Sequence, residues 1–244
     1  MKFIKIMALL LCFSIINGKI HAQRNPTNAF DQTGEQHNIA LDAFFTDQTR
    51  ESIGDQLTRD FLINYFCKKF PAIDCNVIKQ SLGSQLYTDT KGKSLTETEA
   101  ILIERSIVSD RHGYYVQRID DILEQHFAED YAICYKELLT LEDEMMNDPL
   151  LSQADRSNLL NATSVARYST KFWKDVSAGV LKYPSIVNEV GQLSCCSLLS
   201  SIAKSDVQGA IVGGVVGGPY GAVAGGAGTS IGSAVSHFWH SLFD

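Results

Sequence analysis

Three places in this chain hold side chains equipped for chemistry. In the segment GEQHN, Glu35 and His37 set a carboxylate near an imidazole, a combination used for metal ligation or general base work. Residues two apart on a helix do not share a face, so the plainer expectation is a helix start with His37 and Asn38 in local polar contacts. Asp120, Asp121, Glu124, His126, Glu129 and Asp130 form an acidic helical surface. Such a surface can gather divalent cations, but a solvated face is its commoner meaning. His237 and His240 are three apart and can clip a metal on one helical turn, yet two ligands make an incomplete site. A metal-dependent hydrolase built on Glu35, His37 and those carboxylates would need a spaced ligand set, which is not visible. No G-x-G-x-x-G or C-x-x-C pattern occurs. The expectation is therefore no catalytic residue, no metal and no cofactor. The sequon Asn161-Ala-Thr163 lies inside a predicted helix and is given no role.

The cysteines carry more structural meaning. Cys67 and Cys75 flank the short loop CKKFPAIDC and form a candidate disulfide between two helices in an oxidising compartment. Cys134 falls on a helix core face, where a free thiol behaves as a small hydrophobe. The adjacent Cys195 and Cys196 cannot easily bond each other within a helix, so any pairing of one of them is with a cysteine elsewhere in the chain or on a second one, and the five cysteines of the exported part are an odd number.

The elements that position these groups read as helices. Ile53, Leu57, Phe61, Leu62, Tyr65, Phe66 and Phe70 step by three and four up to Pro71, an amphipathic helix and its stop. Ser94 with Glu97, or Thr96 with Glu99, opens the next one as a capping box. Val116, Ile119, Leu123, Phe127, Tyr131, Cys134, Leu138, Leu141 and Met145 recur at a mean spacing close to 3.6, with no Gly or Pro between Gly113 and Pro149. One long helix is predicted there. Ser152 with Asp155 caps a further helix whose face carries Leu159, Ala162, Ala166, Ser169, Trp173 and Val176, and a short one is expected from Ser185 through Ile186, Val190 and Leu193. No stretch alternates like a strand. The fold class is all-α, a multi-helix bundle with one long central helix and a C-terminal Gly-rich helical hairpin.

Composition fits a folded protein, with 45% apolar and 20% charged residues among 244 and a net charge of −7. Lys2 and Lys5 precede an apolar block from Ile6 to Ile16, and Ala22 closes the segment. That is the pattern of a secretory signal peptide over residues 1–22, too short to span a bilayer. The exported chain from Gln23 then carries 18 bases against 28 acids. With no basic cluster in the sequence, nucleic acid is a poor partner. The expected location is outside the cytoplasm, in the periplasm, at the outer membrane or extracellular. The layout divides into the signal, an acidic helical domain over 23–204, and residues 205–244.

That last segment differs in kind. From Val207 to Val235 there are 29 residues without a charge, holding ten of the eighteen glycines. Gly209, Gly213, Gly217, Gly221 and Gly225 recur every fourth residue, and Gly214, Gly218, Ala222 and Gly226 form a second row. Rows of small residues on one helix face let backbones approach closely, the way helices associate in lipid. Ten glycines cost about 10 kcal/mol of helix propensity relative to alanine, so this cannot be an isolated helix in water. Pro219 breaks the segment near its centre, leaving two arms too short for simple spanning. Phe238, Trp239 and Phe243 beside the two histidines suit an interface between apolar and wet surroundings.

These glycine rows resemble the glycine zippers of bacterial envelope proteins and of membrane-active bacteriocin peptides. The layout, with NPTNAFDQTGEQHNIALDAFF, ATSVARYSTKFW and SDVQGAIVGGVVGGPYGAVAGG, is similar to a group of uncharacterised exported proteins of Bacteroidetes-type bacteria, and implies no activity. The leading expectation is a non-enzymatic exported protein whose hairpin, through Gly209, Gly213, Gly217, Gly221, Gly225, Gly214, Gly218 and Trp239, associates with a membrane or with its own copies. The alternative is an extracytoplasmic helical binding module with the hairpin packed internally.

Overall fold

The computed structural model describes residues 24–46, 55–71, 73–127, 130–181, 183 and 196–243, with side chains left out at 55, 196–197 and 237–243. The signal segment, the helix expected from Ser185 and Cys195 lie outside the described residues, as do the side chains of Cys196, His237, Trp239 and His240. The fold is an all-α bundle. In chain order the helices are α1 Asp31–Thr46, α2 Asp55–Lys69, α3 Cys75–Gly83, α4 Gln85–Thr90, α5 Leu95–Glu104, α6 Asp110–His126, α7 Tyr131–Asn147, α8 Gln153–Ser177 and α9 Cys196–Phe243. No strand occurs among the described residues.

Side-chain caps place most helix starts. Asp74, Ser84, Ser94, Ser109, Asp130 and Ser152 each accept a backbone N–H at the first turn of α3 to α8, and each such cap stabilises by about 1 kcal/mol. The Ser94–Glu97 capping box forms in both directions, as the sequence predicts, while Glu99 is buried instead. Leu57, expected on the apolar face of α2, is 49% exposed.

The single long helix expected between Gly113 and Pro149 is two. α6 ends at His126 and α7 starts afresh at Tyr131 under the Asp130 cap. Periodicity could not separate them, because Val116, Ile119, Leu123 and Phe127 and then Cys134, Leu138, Leu141 and Met145 are all buried, each set on the inner face of its own helix. The central position falls to α8, which packs against α1, α6, α7 and α9. Every side chain from Asn158 to Thr170 is buried, polar ones included. A helix surrounded on all sides loses the amphipathic signature that sequence reading relies on.

Two covalent and polar ties brace the scaffold. Cys67 and Cys75 form a disulfide, Cα atoms 5.4 Å apart, joining the end of α2 to the start of α3. Arg167 on α8, fully buried, donates to Glu142 on α7 at 3.0 Å and to Asp31 at the start of α1. Asn25 donates to the other Glu142 oxygen at 2.5 Å. Burial alone pushes the Glu142 carboxyl upward, and the Arg167 guanidinium works against it. Cys134 is a buried free thiol, pushed up to about 12 by burial.

Candidate functional site

The predicted hairpin is present, and its two arms close on each other. The break comes at Gly217 and Gly218, the latter with φ +59°, which a residue bearing a Cβ seldom adopts. Pro219 opens the second arm. Gly209 then faces Gly225, and Gly213 faces Gly221. A Cβ on Gly213 would sit 2.0 Å from the Gly221 carbonyl oxygen, and one on Gly221 would sit 2.1 Å from that of Gly213. The Gly209–Gly225 pair repeats this at 2.2 and 2.1 Å. One glycine row thus meets itself across the turn, backbone against backbone, with Cα–H groups aimed at carbonyl oxygens.

The remaining small positions meet the bundle. A Cβ on Gly214 would lie 2.6 Å from the Asn158 amide of α8, and one on Gly217 would lie 2.3 Å from Ser81 Oγ of α3. The hairpin tip is thereby seated on the helix that the disulfide anchors, with Tyr220 against Phe70, ring centroids 5.8 Å apart. The hairpin packs on every other helix except α7 among the described elements. Val207–Gly213 and Gly221–Gly228 are buried throughout. The composition boundary near Asp206 falls inside α9, so it marks a change of packing mode, not an end of secondary structure.

Buried polar groups fasten the hairpin at its root. Asp206, fully buried, accepts from Ser169 Oγ and from Trp173 Nε1 at 3.1 Å, both on α8. His37 of α1 lies across from it, Nε2 to Oδ2 3.6 Å, and makes a 3.0 Å contact with Asn38. Burial pushes Asp206 up to about 7 against the pull of Ser169, Ser230 and Trp173. It pushes His37 down to about 4, against Asn38 and the Gly226 carbonyl. Both groups are driven towards their uncharged forms. Further along, His112 of α6 lies 2.7 Å from Glu99 and 2.9 Å from Asn158, and Asn158 donates to the hairpin carbonyl of Ile211 at 2.9 Å.

The chemistry-bearing residues of the sequence are not brought together. Glu35 turns outward to Arg24 at 3.4 Å while His37 turns inward, as their two-residue spacing requires. Asp120 and Glu124 hold Lys204 of α9 at 2.9 and 2.7 Å, and His126 faces Glu137 at 3.3 Å. Among the described residues no group of three or more His, Cys, Asp or Glu is arranged to hold a metal ion. Asn161 is buried against Thr33 and Ser157.

A cleft of about 630 Å³ runs beside the second arm. Gly228 and Gly232 of that arm and Gln208 of the first form its floor, and α2, α4 and the loop before α5 form its walls. Gln208 is itself positioned by donating to Thr90 O and to Thr98 Oγ1, the latter at 2.8 Å. Around the cleft stand Arg59, Lys91 and Lys93 with the hydroxyls of Thr88, Ser201, Ser205 and Ser233. Sequence reading missed this site because its cations come from segments some thirty residues apart, and their types and spacing match no motif. The one sequence signal is the second arm's departure from the four-residue rows, where Gly228 and Gly232 carry small residues onto a third face. No protein-family model, curated protein or solved structure matches this chain.

Proposed function

We propose that this chain is an exported, non-enzymatic helical binding module, with the glycine-rich hairpin as its internal packing element and the cleft beside the second arm as its binding site. The reciprocal pairing of Gly209 with Gly225 and Gly213 with Gly221 carries this reading. Faces already filled by each other offer nothing to lipid or to a second chain, whereas the cleft floor stays open. A Cβ on Gly232 would meet nothing within 4 Å. The cleft volume lies within the range of about 300–1,000 Å³ common to small-molecule sites.

One observation favours the competing reading of a membrane or self-association element. By length and composition alone, counted across the break at Gly217 and Gly218, the stretch Leu198–Ser236 is apolar enough to cross a membrane, with 61% of its most apolar window buried in the bundle. Insertion would require both arms to leave the bundle and to abandon the Asp206 and Asn158 contacts. Liposome flotation and light scattering on the exported chain, residues 23–244, separate the two. The binding-module reading expects protein that stays in the dense fraction and elutes as a monomer. Flotation, or a mass that grows with concentration, replaces it with the membrane or homo-oligomer reading, and release of a vesicle-trapped dye would add a bacteriocin-like activity.

A further inference from the structure

We propose that the cleft binds a small hydroxylated anion, a sugar-sized molecule bearing a carboxylate or phosphate, held by Arg59, Lys91 and Lys93. This rests on the cleft being the binding site. The chain as a whole carries more acids than bases, 28 against 21. The described residues lining this cleft include three cations and no Asp or Glu.

The nearest described carboxylates make their close contacts elsewhere, although Asp89 and Glu97 also feel the charge of Lys93. Asp89 is held by Arg105 at 2.6 Å and by Gln85, also at 2.6 Å. Glu97 is folded back onto the Ser94 backbone N–H at 2.8 Å, and Asp60 accepts from Gln56 at 2.9 Å. Among the described residues neither Arg59 nor Lys93 forms an ion pair. The neighbouring recess shows the contrast. It shares Lys93, Ser201, Ser205 and Gln208 with the cleft, but its own cation, Lys204, lies between Asp120 and Glu124 and is neutralised there. Among the described residues, Arg59 and Lys93 thus line the cleft without an ion pair, whereas Lys204 of the recess is held in one.

Like charges gathered on one concave wall repel one another and focus a positive potential into the space between them, which an anion relieves. Arg59 is half-buried on α2, where its planar fork matches a carboxylate or phosphate edge. Lys91 and Lys93 flank Gly92 on the exposed loop, where φ is +73°. Hydroxyls of Thr88, Ser201, Ser205 and Ser233 supply donors and acceptors for a polyhydroxylated body, and Leu62 and Leu82 give an apolar patch.

Calorimetric titration of the exported chain with glucuronate, glucose 6-phosphate and glucose, at low salt and in 0.5 M sodium chloride added on the order of fifty-fold above it, tests the assignment. The expected result is binding of at least one of the two anions, tenfold or more weaker binding of glucose, and a loss of affinity with salt; whichever anion binds tells carboxylate from phosphate. Arg59→Met and Lys93→Met should each weaken the anion at least fivefold. Gly232→Phe, placed where a side chain has room, should abolish binding while thermal melting stays cooperative. Equal binding of all three sugars, unaffected by the charge variants yet lost in Gly232→Phe, overturns the anion assignment and leaves the cleft as the site. Binding that survives Gly232→Phe removes the cleft itself, and no binding by either anion overturns the ligand class.

Discussion

The outer layer of α6 and α7 and the hairpin of α9 both pack on α8, but by opposite means. In the outer layer Ile119, Leu123, Leu138, Leu141 and Met145 fill the space between helices with side chains. In the hairpin, glycines remove the side chains and let main chains touch. The first kind of contact fails when volume is taken away, and the second fails when volume is added. Helical period is the same in both, so tolerance to substitution, not secondary structure, separates them.

The strongest break of this comparison is Gly221→Leu. The atoms it strikes are the carbonyl group of Gly213 at 2.1 Å and Ser81 Oγ at 2.7 Å, and a backbone carbonyl cannot swing aside. The arms must part, at a cost of more than about 4 kcal/mol, seen as loss of a cooperative transition in urea. Its counterpart is Leu138→Ala in α7, fully buried, where a cavity should cost about 3 kcal/mol and lower the urea midpoint while leaving the slope unchanged.

The hairpin root supplies a pH test. Asp206 is raised to about 7 in the fold, so its contribution favours the folded state at low pH and is lost as pH rises from the unfolded carboxyl value through about 7. His37 is lowered to about 4, so its contribution has the opposite sign and is lost as pH falls from the unfolded imidazole value through about 4. Between pH 4 and 6.5 the two slopes oppose each other, and the pair should leave stability nearly flat. Asp206→Asn should expose the histidine term, with stability rising with pH across that window by about 1 kcal/mol per unit, and His37→Gln should expose the falling term of the carboxyl. Urea titrations at intervals across this window check both signs; parallel profiles for the two variants would refute the pairing.

The smallest effect comes from the glycine that meets nothing. Gly232→Ala adds a Cβ into open space at a helical φ, so it should stabilise by about 0.5–1 kcal/mol through helix propensity, measurable as a rise in Tm. A destabilised Gly232→Ala would mean that the second arm tolerates no side chain even on its cleft side.

Much of the scaffold was legible from local chemistry. Ser94 with Glu97 and Ser152 with Asp155 announce helix starts because a cap is made between residues three apart. Pro219 and the glycines before it announce the turn of the hairpin, because φ at Gly218 and the missing N–H of proline are properties of single residues. The Cys67–Cys75 bridge was a candidate on its short loop and is formed. The break between α6 and α7 was hidden, since two helices that each bury one face continue a single apolar period. The centrality of α8 was hidden too, because its inner polar residues, Asn158, Arg167 and Ser169, find partners on other helices and so look exposed in sequence.

The sequence by itself determined that the chain is helical, that a charge-free segment is broken at Gly218-Pro219, and that its glycine rows need a close partner if they are to be helical, because helix propensity at ten glycines is unfavourable without one. Only the tertiary structure decided what that something is: Gly225 for Gly209, Gly221 for Gly213, Asn158 for Gly214 and Ser81 for Gly217. It also gathered Arg59, Lys91 and Lys93 around one cleft. The reason is common to both. A four-residue period fixes which residues share a face, while the identity of the opposite face depends on contacts between residues far apart in the chain, and those are set by how the whole bundle closes.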